Sequence, residues 1–237
     1  MRILLLADIH GNWPALQAIQ EPYDLCLCLG DLVDYALEPA ACVDWVRRHS
    51  AACVRGNHDH GAAHDVPEAG KNGYRFLSAV TRPITRKRLS PEALTYLAHL
   101  PLTKYLTADD ARFMLVHATP RNALHSYGPP EAKFWEAQLD GVDAEVICVG
   151  HSHEAFVLPV GDKLVINPGS VGFPRDGDPR ASYAVIENRR VEIKRIEYRI
   201  ADTVQVIQES ELPDTAKLML AEALQSGGAK KEAAKWG

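Results

Sequence analysis

The stretch Ile3-Leu4-Leu5-Leu6-Ala7-Asp8-Ile9-His10-Gly11-Asn12 runs from five consecutive apolar residues straight into an acid, an imidazole and a turn. A nearly continuous apolar run of that length suits a strand covered on both faces, as in a sheet held between layers. The same order recurs along the chain. Leu25–Leu29 leads to Gly30-Asp31-Leu32-Val33-Asp34, and Ala51–Val54 leads to Arg55-Gly56-Asn57-His58-Asp59. Phe113–Val116 ends at His117, and Val146–Val149 ends at Gly150-His151-Ser152-His153. Strand candidates distant in sequence thus each deliver metal-ligating or acid–base side chains at their carboxyl ends, where open sheets bind ligands.

Helical segments fall between these runs. Asn12 is a cap, with Pro14 in the first turn of a helix reaching Ile19. Glu38–His49 has amphipathic spacing, Ser90-Pro91-Glu92 is an N-terminal signal, and Pro129–Leu139 reads as a further helix. Beyond Gly150, the short runs Glu154–Pro159, Leu164–Asn167, Tyr183–Glu187 and Val191–Tyr198 suggest β-hairpins. Val204–Gln208 and Ala216–Leu224 look helical, and the Lys-rich tail Gly227–Gly237 reads as frayed. The segment Gly61–Arg88, with Tyr74, Phe76, Arg82 and Arg86, is either a partial lid over a site or a packed surface excursion. The expected organisation is an α/β domain over residues 1–200, followed by a C-terminal helical extension and flexible tail over 201–237.

The 237 residues, 46% hydrophobic and 24% charged with a formal net charge of −5, are enough for a substantial core and give no sign of a nucleic-acid surface. Five cysteines without a framework spacing point to reduced thiols. Cys26 and Cys28 alternate on one strand face as small core residues. The first apolar run stops at Asp8, short of the roughly 7–15 residues of an export signal. No segment approaches the roughly 18 apolar residues of a membrane span. The expected location is the cytoplasm.

Each motif alone has an ordinary reading. Asp and His favour turns, and Gly-Asp-x-x-Asp is often nothing more. Gly56-Asn57-His58-Asp59 is stronger, since a turn uses Gly and Asn but has no need of His and a second acid. In Gly150-His151-Ser152-His153, side chains two apart in extended chain share a side. Together they form a mixed shell of carboxylate, imidazole and amide oxygen, suited to manganese, iron, zinc or nickel rather than to an oxygen-loving magnesium site. One Asp bridging two cations would hold them about 3.5–4 Å apart, the spacing that clamps a phosphate.

Asp8-x-His10, Gly30-Asp31-x-x-Asp34, Gly56-Asn57-His58-Asp59, His117 and Gly150-His151-x-His153 resemble, in order, the five motifs of the calcineurin-like metallophosphoesterase superfamily. Asp8-Ile9-His10-Gly11-Asn12 and Asn167-Pro168-Gly169-Ser170-Val171-Gly172-Phe173-Pro174-Arg175-Asp176-Gly177 are similar to its small bacterial and archaeal phosphodiesterase-type members. The resemblance implies a four-layer α/β/β/α sandwich with mixed sheets and two divalent metal ions at one edge. By motif, Asp8, His10 and His153 would bind one metal, Asn57, His117 and His151 the other, and Asp31 would bridge them. His58, oriented by Asp34, would face the phosphate and protonate the leaving oxygen, while a metal-bridging hydroxide attacks phosphorus.

One departure bears on substrate. Protein phosphatases and symmetrical dinucleoside-polyphosphate hydrolases of this superfamily have Arg-Gly after the second Asp of the second motif. Here Asp34 is followed by Tyr35-Ala36. Arg55, Arg175 and Tyr35 are candidate substrate contacts, with a surface or salt-bridge role as the alternative for each arginine. The other histidines, His49, His60, His64, His99 and His125, need no metal. The expected activity is hydrolysis of a small organic phosphate or nucleotide, as diester or monoester. Behind it stand a dinucleoside-polyphosphate hydrolase or protein phosphatase, and then a protein-binding scaffold, which the full ligand set and His58 disfavour. The expected partner is a small phosphoester, without membrane or stable nucleic-acid binding.

Overall fold

The computed structural model describes residues 1–228. The first half of the chain is β1 (Arg2–Leu6), α1 (Trp13–Ala18), β2 (Leu25–Cys28), α2 (Pro39–His49), β3 (Ala52–Cys53), α3 (Asn57–His64), α4 (Gly73–Arg88) and α5 (Pro91–His99). The second half is β4 (Thr103–Ala108), β5 (Ala111–Val116), α6 (Ala132–Leu139), β6 (Val146–Cys148), β7 (Ala155–Val160), β8 (Lys163–Pro168), β9 (Ala181–Glu187) and β10 (Arg190–Ile196). Two helices, α7 (Ile200–Gln208) and α8 (Asp214–Ser226), close it. One mixed sheet has the order β10-β9-β1-β2-β3 and the other β4-β5-β6-β8-β7. In each sheet three central or edge-ward strands run parallel, β1-β2-β3 and β5-β6-β8, with hairpin partners antiparallel.

Strand alternation builds the layers. Ile3, Leu5, Leu27 and Leu29 point into the space between the sheets, where they meet Phe113, Leu115, Cys148 and Ile166. Their neighbours Leu4, Leu6, Cys26 and Cys28 point the other way, onto Leu16, Val43 and Leu97 of the helical layer. Met114, Val116 and Ile147 pack outward against Trp135 and Leu139 of α6. The result is the expected α/β/β/α sandwich, and its double coverage explains why β1 and β2 read as unbroken apolar runs.

Helices α1 and α5 start at the side-chain caps the sequence marks. Asn12 Oδ1 accepts from Ala15 N at 3.3 Å, and Ser90 Oγ from Ala93 N at 3.2 Å. The segment 61–88 is mostly helix: the end of α3 and all of α4, with Leu77, Thr81, Arg82, Ile84 and Thr85 buried. The helices beyond residue 200 share an apolar cluster with the body, in which Ile207, Leu220 and Leu224 touch the group containing Tyr35, Leu77 and Phe173. Thr203 Oγ1 also donates to Asn12 Oδ1 at 2.8 Å. Of the tail read as frayed, Gly227 and Gly228 close α8 in left-handed backbone, and the rest lies outside the described residues.

Candidate functional site

All the expected ligands gather at one edge of the sandwich. Asp8 lies just beyond β1, Asp31 beyond β2, His117 beyond β5, His151 and His153 beyond β6, and Asn57 opens α3. Asp8, His10, Asp31 and His153 form one buried group and Asp31, His117 and His151 another, with ligand atoms in each group within 4.8 Å of one another. Asp31 belongs to both. Its Oδ1 accepts from His58 N at 2.8 Å, which leaves Oδ2 facing the imidazoles without a hydrogen-bond partner. His117 Nε2 lies 3.2 Å from that oxygen and 3.1 Å from Asn57 Oδ1.

Holding so many ligands at strand ends bends the backbone. Among the described residues, seven of the twelve non-glycine residues with positive φ are Asp8, His10, Asp31, Asp34, Tyr35, His151 and His153. Left-handed backbone is costly for residues with a Cβ, persists where the surroundings over-determine it, and clusters at functional sites. Asp59 supplies part of that restraint: its carboxylate accepts from Asp31 N and Leu32 N, both at 2.8 Å, and from Gly56 N at 3.0 Å. Gly56 itself admits no Cβ, which would collide with Asp31.

The hydrogen-bond roles show whether these residues fit cations. His10 Nδ1 donates to Val33 O at 3.0 Å, His117 Nδ1 to Leu29 O at 2.8 Å, and His153 Nδ1 to Phe173 O. A carbonyl only accepts, so each Nδ1 carries a proton, and on His10 and His153, which burial keeps neutral, the Nε2 lone pair turns inward. Two such atoms, on His10 and His153, lie 3.1 Å apart. Lone pairs aimed at lone pairs, at carboxylate oxygens and at an amide oxygen need positive charge among them. Burial pushes the protonated forms of His10 and His153 well below the usual range and takes His151 to about 2. Protons are thus a poor source of that charge on three of the rings. Burial opposes a proton on His117 too, but the Asp31 charge outweighs it and raises that ring to about 9. Burial also pushes the Asp8 carboxyl up to about 7. The neutral imidazoles of His10, His151 and His153 beside the Asp8 and Asp31 carboxyls form a donor set that fits divalent cations.

Beside this cluster His58 Nδ1 donates to Asp34 Oδ2 at 2.8 Å, and its Nε2 stands 3.9 Å from Asp31 Oδ2. Arg82 of α4, named in the sequence only as part of the lid-or-excursion segment 61–88, donates to the same Asp34 oxygen. His58, Tyr35, Asn57 and His151 line a cleft of about 350 Å³ with Tyr74 and Tyr127. The sequence did not single out Tyr127. The residue is 60% exposed, and its ring stacks on His151 at 4.3 Å between centroids. A separate cavity of about 230 Å³, lined by Phe113, Ile186, Asp109 and Glu145, opens at the amino ends of the parallel strands of the second sheet and contains neither histidine nor cysteine.

The candidate arginines differ in placement. Arg55 Nη1 donates to Ala98 O at 2.7 Å and lies 3.1 Å from His64 Nε2, which ties α3 to the end of α5. Arg175 lies 3.9 Å over the Tyr74 ring and donates through Nη2 to Tyr35 Oη at 3.1 Å, with Nε unpartnered. Its positive charge bears on Asp8, His10 and His153. The loop before it is pinned: Asn167 Nδ2 donates to Gly150 O at 2.8 Å, and Ser170 Oγ to Asp8 O at 2.7 Å. Of the other histidines, His60 and His125 line the cleft, while His49 and His99 donate to carbonyls of their own helices.

The sequence model for the calcineurin-like phosphoesterase superfamily domain matches residues 1–190. An uncharacterized protein of Methanocaldococcus jannaschii is 32% identical, over 90% of this chain and 94% of its own length. Phosphodiesterase YfcE of Escherichia coli is 24% identical over 79% of this chain and 88% of its own. Among solved structures, a metallophosphoesterase from Sphaerobacter thermophilus superposes with a TM-score of 0.80 at 33% identity, covering 96% of this chain and 99% of that one. The fold is also that of a Pyrococcus horikoshii protein, with a TM-score of 0.82 at 23% identity, covering 96% and 98%.

Proposed function

Because the chain belongs to the calcineurin-like phosphoesterase superfamily, we propose that it is a metal-dependent hydrolase of a small organic phosphoester, and of diesters in the first place. The observation that carries this reading is Asp31 Oδ2, a buried carboxylate oxygen shared by two ligand groups and left without a hydrogen bond. Asp8, His10 and His153 would hold one divalent cation with Asp31, and Asn57, His117 and His151 a second; manganese, iron, zinc and nickel all suit the donor set. When bound, such cations supply Lewis-acid charge and make water nucleophilic near neutral pH. The preference for diesters draws on the similarity to Phosphodiesterase YfcE and on Tyr35-Ala36 in place of Arg-Gly.

The chain's own residues handle the leaving group. His58 lines the cleft with Nδ1 tied to Asp34, so Nε2 is the atom free to meet a substrate oxygen. Burial disfavours the charged ring, but Asp31 and Asp34 more than offset it and raise the His58 pKa above the ordinary histidine value. A protonated ring in this place would give its Nε2 proton as the phosphorus–oxygen bond breaks, and regain one from solvent afterwards. Arg175, held by Tyr35 and Tyr74, adds the nearby positive charge that an anionic ester requires. The free, buried state of all five cysteines supports a reducing compartment such as the cytoplasm. No helix among the described residues is long and apolar enough to cross a membrane.

The test is reconstitution. Protein stripped of metal and reloaded should bind about two ions per chain. Loaded protein should hydrolyse bis(p-nitrophenyl) phosphate faster than p-nitrophenyl phosphate. Undiminished hydrolysis by rigorously metal-free protein would overturn the reading.

A further inference from the structure

Arg82 approaches the His58–Asp34 pair from behind. Its Nε and Nη2 donate to Asp34 Oδ2 at 2.8 and 2.6 Å, and His58 Nδ1 donates to that same oxygen at 2.8 Å. Asp34 Oδ1 is buried and has no partner. A carboxylate held by one imidazole alone can turn about its Cβ–Cγ bond and offer either oxygen. A planar guanidinium that directs two N–H groups onto one oxygen removes that freedom, and so fixes the line along which the imidazole hangs.

The surroundings are built to keep Arg82 in place. The residue is 7% exposed, and its Nη1 donates to Val66 O at 3.2 Å. Gly61 of α3 lies so close that a Cβ there would overlap the guanidinium. The preceding residue, Thr81, accepts from Tyr35 N through Oγ1 at 3.2 Å. Two neighbouring side chains of α4 thus hold Asp34 and Tyr35, whose φ values of 69° and 61° are left-handed.

We propose that Arg82 is a positioning residue for the proton donor: by fixing Asp34 Oδ2 it sets the direction in which the His58 ring presents Nε2 to the leaving oxygen. This rests on the phosphoester-hydrolase reading above. An ion pair that merely stabilised the fold would scale all substrates alike. A positioning role makes the loss depend on how much the departing group needs a proton.

The experiment compares bis(p-nitrophenyl) phosphate, whose leaving group departs readily as an anion, with diphenyl phosphate, whose leaving group needs protonation more. Metal-loaded wild type, Arg82→Met and Arg82→Lys are assayed after their metal contents have been matched. Arg82→Met should lose about 100-fold in kcat on the phenyl ester, the scale of a misplaced catalytic group. It should lose less than about tenfold on the nitrophenyl ester, where proton donation contributes little. Arg82→Lys keeps the charge without the fork and should show the same split at smaller size, so it carries the test if Arg82→Met does not fold.

A second readout needs neither metal nor turnover. Proton NMR of the metal-free protein should show a downfield His58 Nδ1–H signal, assigned by its disappearance in His58→Ala. That signal should broaden or vanish in the Arg82 variants. Equal fractional losses on both esters, or an unchanged His58 signal, would overturn the proposal. Wild type that cleaves neither ester defeats the functional reading instead, and the NMR comparison still decides whether Arg82 orients the ring.

Discussion

Asp31 and Asp59 are two buried acids, joined directly by the bond from Asp31 N to Asp59 Oδ2, that divide the labour between them. Asp59 gives its oxygens to backbone N–H groups of Asp31, Leu32 and Gly56, and so fixes the loop on which Asp31 stands. Asp31 gives one oxygen to His58 N and keeps the other for the ligand cluster. Replacing Asp59 with Asn removes one acceptor atom. At least one buried N–H then loses its partner, at a cost of about 1–3 kcal/mol for each such group. Urea unfolding of Asp59→Asn should register that loss, and titration of the folded variant should show weaker metal binding because Asp31 is no longer held. A variant as stable as wild type that binds metal as tightly would show that Asp59 has no such role.

At the scale of elements, α4 and α8 connect the C-terminal helices to the chemistry. α4 carries Thr81 and Arg82 on the side that meets Asp34 and Tyr35, and Leu77 and Ile84 in the cluster that includes α8. Leu220 of α8 is fully buried there, in a cluster it shares with Tyr35 and Phe173. Leu220→Ala should lower unfolding free energy by about 2–5 kcal/mol, since a large buried side chain leaves a cavity that closes only in part. Denaturant unfolding measures this. A change below about 1 kcal/mol would mean that α8 packs too loosely to support α4.

For the whole molecule, cations held by the expected ligands would clasp the two sheets together. Asp8, Asp31 and Asn57 come from the β1-β2-β3 side, and His117, His151 and His153 from the β5-β6 side. A cation bound only in the folded state stabilises it by about 2.7 kcal/mol at a free concentration one hundred times Kd. For a chain of this size, that is roughly 5–10 °C in Tm. Scanning calorimetry with and without chelator should show a drop of that order for each site emptied. A Tm indifferent to chelation would mean that the edge is rigid without metal.

Much of this was legible in order along the chain. Four of the expected ligands, Asp8, Asp31, His117 and His151, come within two residues of an apolar run, and a strand covered on both faces advertises itself as such a run, so strand, turn and candidate ligand could be read together there. Three elements escaped, the short helix α3 among them, because its first residues Asn57-His58-Asp59 read as a turn. Strand β4 is an exposed edge with Lys104 and Thr107 facing solvent, so no apolar run marks it. In α4 the buried stripe contains Thr81, Arg82 and Thr85, and Pro83 sits inside the helix, which breaks the apolar period. The sequence by itself determined the apolar strand runs and the acids, amide and imidazoles that follow them, because local pattern suffices for those; the layers, the ligand assignments and the pairing of His58 with Asp34 were expectations drawn from the order of the five motifs. Only the tertiary structure decided that Arg82, 48 residues from Asp34, grips its carboxylate, that Arg55 turns to Ala98, and that Arg175 reaches the cluster. Those partnerships depend on where packed helices and loops bring a long side chain, and no periodicity along the chain encodes that direction.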